Sequence, residues 1–271
     1  MIDILKQQLR NDMPTETKLN ISREFLQLLC LKILYDKGLL GRLAFVGGTA
    51  LRVIFDLRRF SEDLDFSLIQ EEDYNFTKIN AELVRGFNLY GFKTESKPKK
   101  EGTNVNGTFL KFSGLLKELG LSPLANQVLS IKVEVDARPP EGGNVISTFV
   151  NKVYPITVTH YDLPSMLAAK LHACFYRKYT KGRDFYDFIW YLGKKVKPNI
   201  TLLNNAITQT QGENPRIDEN NLKDFLLKNI NKIDLPLVKK DVERFLEDKT
   251  ELRLFDMKAI EQSIELVYSS Y

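Results

Sequence analysis

The 271-residue chain is poor in cysteine, histidine and tryptophan: it holds Cys30 and Cys174, His160 and His172, and a single Trp190. Two isolated cysteines, each inside an apolar run of helical spacing, make neither a disulfide framework nor a zinc motif, which fits a reducing compartment. Two dispersed histidines exclude a histidine-based metal centre, and both are read as structural. No apolar run approaches the roughly eighteen residues of a membrane span. The opening MIDILKQQLRNDM lacks the basic, apolar, small-residue order of a secretory signal. A cytoplasmic protein without membrane contact is expected. Internal repeats and low-complexity tracts are absent as well.

What is present is an ordinary globular composition, 43% hydrophobic and 27% charged, with a net charge of +4. A mildly basic balance permits nucleic acid without requiring it. Its distribution is uneven. Residues 161 to 200 hold eight basic side chains (Lys170, Arg177, Lys178, Lys181, Arg183, Lys194, Lys195, Lys197) against three acids. A second basic cluster, Lys93, Lys97, Lys99 and Lys100, falls in a stretch read as loop. Solvated surface is the plain account of one such cluster.

Along the chain, SREFLQLLCLKILYDK at 22–37 has helical spacing, LAFVGG ends a short strand, and ALRVIFDL starts a helix. DLDFSL returns to strand periodicity, 75–90 is helical, and TFLKF is a short strand. In LSIKVEVDA, Ile131, Val133 and Val135 share one face while Lys132, Glu134 and Asp136 share the other. Asp162 is placed to cap a helix running to about Tyr179, and the pattern beyond is helical, with breaks at GRD, KPN, QGENP and DLP. The expected fold is α+β, a mixed α/β core over 1–155 followed by a helical domain over 156–271.

Chemistry concentrates in FVGGTALRVIFDLRRFSEDLDF, residues 45–66. On a strand, Asp63 and Asp65 point to one side, where two carboxylates repel unless a cation lies between them. Hard oxygen donors of this kind suit Mg²⁺, which takes one or two carboxylates together with substrate phosphates. The alternative is an exposed strand whose acids pair with Arg58 or Arg59. Gly47 and Gly48 end a strand at a helix start, where the lack of Cβ and free N–H groups let a phosphate approach. The Thr49 hydroxyl is a further donor there. A third acid, Glu134 or Asp136, would complete a two-metal site and accept a proton from an attacking hydroxyl. Lys132 shares their face and is an alternative ion-pair partner.

GG-T, the acid pair and a later strand acid together resemble the nucleotidyltransferase superfamily of the polymerase-beta type. FVGGTALR, RFSEDLDF, IKVEVDARPPEG, LPSMLAAKLHA and KGRDFYDFIWYL resemble one branch of it, the AbiEii/AbiGii-type toxins that include the MenT toxins. The likeness spans about residues 20 to 195. It implies a small nucleotidyltransferase core with a mixed sheet, a helical C-terminal domain, and a cognate antitoxin of winged-helix type. It also implies transfer of a nucleotide from an NTP to the acceptor end of tRNA, with two Mg²⁺ ions. By this resemblance Asp63 and Asp65 are metal ligands, while Lys170 and Asp184 carry further catalytic roles; Asp136 is expected as a further metal ligand, with Glu134 the competing acid for that place.

Lys170 stands alone on an apolar helix, where an ammonium either snorkels to water or meets an anion. Beside a triphosphate site, a phosphate contact is the expected role, extended by Arg177 two turns on. Of Asp184 and Asp187, the latter is read as an acid stabilising a helix N-terminus. Asp184 is expected to contact Lys170 or the nucleotide between domains. The aromatic run Phe185, Tyr186, Phe188, Trp190, Tyr191 reads as core. Two other functions stay open: a nucleotidyltransferase acting on a small molecule or protein side chain, and a nucleotide-binding module without turnover.

Overall fold

A computed structural model describes residues 1–98, 104–124, 126–179 and 181–269. Its first half alternates helix and strand: α1 (Ile2–Gln8), α2 (Thr15–Asp36), β1 (Leu43–Val46), α3 (Gly47–Phe55), β2 (Asp63–Leu68), α4 (Phe76–Leu89), β3 (Thr94–Pro98), β4 (Val105–Phe112), α5 (Leu115–Glu118), β5 (Leu129–Asp136), β6 (Val145–Asn151) and β7 (Pro155–Tyr161). Helices follow: α6 (Leu163–Tyr176), α7 (Gly182–Gly193), α8 (Ile200–Gln211), α9 (Leu222–Ile230), α10 (Leu235–Val242) and α11 (Met257–Tyr268). The fold is mixed α/β, as the periodicities indicate.

The chain forms two compact units. One gathers Met1–Asp56, Phe60–Arg138 and Ser147–His160; the other gathers Leu57–Arg59, Pro139–Ile146 and Tyr161–Tyr271. The sequence alone suggests one boundary near residue 155, whereas the chain passes finally into the second unit at His160/Tyr161 after two short excursions. Among the described residues no helix is long and apolar enough to cross a membrane.

The first unit is built on a seven-stranded sheet ordered β3-β4-β5-β2-β1-β7-β6. β2 runs parallel to β5 and antiparallel to β1, while β4 runs antiparallel to β3 and β5. Alternation gives the sheet two unlike faces. Leu64, Phe66, Leu110, Phe112, Ile131, Val133 and Val135 are buried, and α2 and α4 lie against the sheet. Phe87, Phe92 and Phe112 close this layer edge to face, with centroids 4.9 to 6.0 Å apart. The opposite face carries Asp63, Asp65, Lys132, Glu134 and Asp136.

Three strands escape the sequence pattern. β3 and β6 are the sheet's outer strands and largely exposed, so neither shows an apolar alternation. β7, read as a turn leading to a helix, buries Ile156, Val158 and His160. Lys97 therefore lies on a strand rather than a loop, while Lys99 and Lys100 fall outside the described residues.

In the second unit, α6 lies against α7 and α8, and α7 against α10 and α11. Asp162 caps α6, its carboxylate accepting the Ser165 N–H at 2.8 Å. The helix stops at Tyr176, three residues short of the expected end, because Arg177 is extended. GRD is the first turn of α7 rather than a break. Its N-terminus is capped from another helix, Gly182 N–H donating to Asp241 of α10 at 2.7 Å. A Cβ on Gly182 would run into the Val238 carbonyl and lie 2.9 Å from the Val242 nitrogen, so only glycine permits this crossing.

Candidate nucleotidyltransferase site

The register of β2 on β5 sets the acids. Asp63 is level with Lys132, Asp65 with Glu134, and Ser67 with Asp136. Register partners on neighbouring strands project to the same side, so these residues share one face. Lys132 forms an ion pair with Glu134. Burial works against its charge, but Glu134, Asp63 and Asp65 outweigh that and hold the ammonium above its ordinary range.

Asp136 stands one register step farther on. Its Oδ1 accepts the Arg138 N–H at 3.0 Å, and burial pushes its carboxyl up despite that bond. Among the described residues no three carboxylate, histidine or cysteine groups converge to hold a metal. The expected trio Asp63, Asp65 and Asp136 is thus not drawn into one cluster, and Glu134 is the acid directly beside Asp65.

Gly47 opens α3 with a left-handed φ of +77°. A Cβ there would lie 2.7 Å from Asp65 Oδ2, so glycine is what lets this carboxylate sit against the helix start. Gly48 follows it, buried within the first turn. Thr49 corrects the sequence reading: it is buried, and its hydroxyl donates to the Asp63 carbonyl. The side chain expected to bind phosphate instead ties α3 to β2, leaving backbone N–H groups as donors at this turn. Arg58 and Arg59, weighed as partners for the acid pair, turn elsewhere: Arg58 to Glu251, Arg59 to Asp187.

In the second unit Lys170 is not a snorkelling cation. Only 8% exposed, it bonds Asp184 at 2.8 Å and Asp187 at 2.7 Å, both on α7. Asp187 is fully buried in the second turn of α7, held by Arg59 through two bonds of 2.7 and 2.6 Å, so the helix-terminus role fails for it. Arg177 bonds the other oxygen of Asp184, and leaves the α6 face along which it was expected to extend a stripe. Burial pushes the Asp184 carboxyl up, but Lys170 and Arg177 pull it down to about 2. Burial likewise opposes the Lys170 charge, and the two aspartates override it, raising the ammonium above its ordinary value. Lys170, Arg177 and Arg59 thus converge on the two aspartates.

The pairing of Arg59 with Asp187 is what the sequence reading missed. The available signal was Asp187 itself, an acid within the apolar run FYDFIWYL, where a buried carboxylate requires a counterion. The histidines are structural: His160 bonds Thr148 at 2.8 Å and His172 bonds Thr210 at 2.8 Å.

Comparison with known proteins bears on the fold and the family. The chain is similar to JHP933 from Helicobacter pylori, at 18% identity and a TM-score of 0.59, over 92% of this chain and 91% of that one. It is similar as well to a second solved structure, of an H. pylori protein described as a nucleotidyltransferase, at 20% identity and a TM-score of 0.58, over 92% and 94% of the two chains. At such identities the likeness shows a shared fold. No curated protein matches the chain. The family model of the nucleotidyl transferase AbiEii toxin, type IV toxin–antitoxin system, matches residues 30–262. That match covers both units, and the chain belongs to this AbiEii family of toxin nucleotidyltransferases.

Proposed function

We propose that this nucleotidyltransferase transfers a nucleoside monophosphate from an NTP to the 3′-hydroxyl of RNA, at the acceptor end of tRNA. The observation that carries the reading is the seat of Asp65 against the Gly47 turn, with Asp63 and Asp65 on one face of the sheet. Carboxylate pairs of this kind fit Mg²⁺, which when bound would neutralise and orient the triphosphate. Asp63 and Asp65 are its proposed ligands. Asp136 adds a further carboxylate on their face.

The hydroxyl oxygen attacks the α-phosphorus, forming a new P–O bond while the α–β anhydride bond breaks and pyrophosphate leaves. The hydroxyl proton passes to a carboxylate of β5. Asp136 suits that task, since Glu134 is engaged by Lys132. The first-turn N–H groups at Gly47, Gly48 and Thr49 would receive phosphate oxygens. Lys170 and Asp184, paired with each other in the second unit, are proposed on the resemblance alone to carry the further catalytic roles. The cognate antitoxin is proposed, on the resemblance alone, to be a winged-helix protein.

The test is incubation with total tRNA, Mg²⁺ and each α-labelled nucleotide in turn, with a D63A/D65A variant beside the wild type. Label moving onto RNA, and lost in the variant, supports the proposal. Labelled product on a small molecule or protein, with RNA unlabelled, overturns the acceptor.

A further inference from the structure

The face of the sheet that carries the acids extends beyond them, and its register arranges four side chains in one row. Lys97 of β3 is level with Phe109 of β4, Phe109 with Lys132 of β5, and Lys132 with Asp63 of β2. Strands lie about 4.8 Å apart, which puts the Phe109 strand roughly 10 Å across the sheet from Asp63. Phe109 is 37% exposed, whereas its neighbours Thr108 and Leu110, on the other face, are fully buried. Alternation therefore turns a partly exposed aromatic ring to the face that carries the acids. Lys111, two residues along β4, points the same way and is level with Glu95 and Ser130.

A single exposed phenylalanine is common on protein surfaces. This one is flanked by lysines and stands in register with the proposed metal ligand. An aromatic face between cations suits a strand of nucleotides: the ring takes a base by stacking and the ammonium groups take phosphates. We propose that Phe109, flanked by Lys97 and Lys111, is the stacking platform that holds the single-stranded 3′ end of the acceptor RNA beside Asp63. This rests on the RNA-acceptor reading above and adds the place where the acceptor lies. The same face carries the acids Asp63, Asp65, Glu134 and Asp136, and Glu95 is level with Lys111, so the cations offered to phosphates beside the ring are Lys97 and Lys111.

The experiment measures binding without turnover: fluorescence anisotropy of a 5′-labelled, single-stranded decaribonucleotide with the full chain. In parallel, a fluorescent ATP analogue is titrated in the presence of Mg²⁺. Phe109→Ala is expected to weaken the oligonucleotide about five- to a hundredfold, with Phe109→Trp close to wild type and analogue binding unchanged. Lys97→Ala and Lys111→Ala should each flatten the salt dependence by about 0.7 in log–log slope, which Phe109→Ala leaves alone. An F109A protein that binds the oligonucleotide like wild type overturns the platform. So does a wild type without affinity for it, or a loss confined to the ATP analogue, which would assign the ring to the donor base. Phe109-dependent binding without nucleotide transfer overturns the transfer reaction and leaves the platform standing. Transfer with an F109A protein whose KM for RNA is unchanged does the reverse.

Discussion

Arg59 and Asp187, 128 residues apart in sequence, form a doubly hydrogen-bonded ion pair that is almost wholly removed from water. Asp187 also takes Lys170, so one carboxylate organises two cations from different parts of the second unit. A buried pair of this kind is costly to break from one side, because the remaining charge stays buried without its partner. Arg59→Met should therefore destabilise the protein by about 3–5 kcal/mol. Urea denaturation followed by circular dichroism measures it, and Arg59→Lys should recover only part, since an ammonium cannot make both bonds in the same plane.

Acid should weaken the second unit through Asp184. Its carboxyl sits at about 2 in the folded protein against an ordinary 3.8, so the folded state favours the ionised form. That stability is complete above the ordinary value and is lost as the pH falls toward 2. At 1.36 kcal/mol per pKa unit the contribution is roughly 2 kcal/mol. Urea midpoints between pH 2 and 5 should rise steeply for wild type and more gently for Asp184→Asn.

Gly47→Ala places a methyl group 2.7 Å from Asp65 Oδ2 on a backbone with φ of +77°. Either the turn or the carboxylate moves. A left-handed alanine costs about 1–2 kcal/mol, while transfer activity should drop at least tenfold because the displaced group is a proposed metal ligand. Melting temperature and single-turnover rate, measured on the same preparation, separate the two effects.

Gly182→Ala is expected to be a folding variant rather than an activity variant. The added methyl meets the Val238 carbonyl and the Val242 nitrogen, both backbone, so α7 and α10 must part. Overpacking of this order costs about 1–3 kcal/mol. Loss of the Gly182 N–H to Asp241 bond should add to it, and Asp241→Ala alone should show that second part as a smaller fall in denaturation midpoint.

Removal of Mg²⁺ by EDTA should abolish transfer without unfolding the first unit. Lys132 supplies a cation among Asp63, Asp65 and Glu134, so the acids are not left wholly uncompensated. Activity should return on adding Mg²⁺, and the far-ultraviolet dichroism should not change through the cycle. Activity undiminished by the chelator would remove the metal from the mechanism.

Much of this protein is legible in its sequence, for local reasons. Alternation in DLDFSL and LSIKVEVDA states which side chains share a face. Gly47 and Gly48 mark a turn that only small residues make, and Asp162 before LPS announces a capped helix. β3 and β6 escape because edge strands, paired on one side only and largely exposed, need no sustained apolar period.

Which strand lies beside which is a different matter. Nothing local aligns Asp65 with Glu134 rather than Asp136; the parallel pairing of β2 on β5 does, between segments far apart in the chain. The same holds for Thr49, whose hydroxyl is taken by the Asp63 carbonyl, and for Lys170, whose solitary place on an apolar helix is explained only by two aspartates on the next. Sequence determined the kinds of residue and the faces they occupy, since backbone periodicity is set within a few residues. Tertiary structure alone decided their partners, because a buried charge is satisfied by whatever packing brings to it, from any distance along the chain.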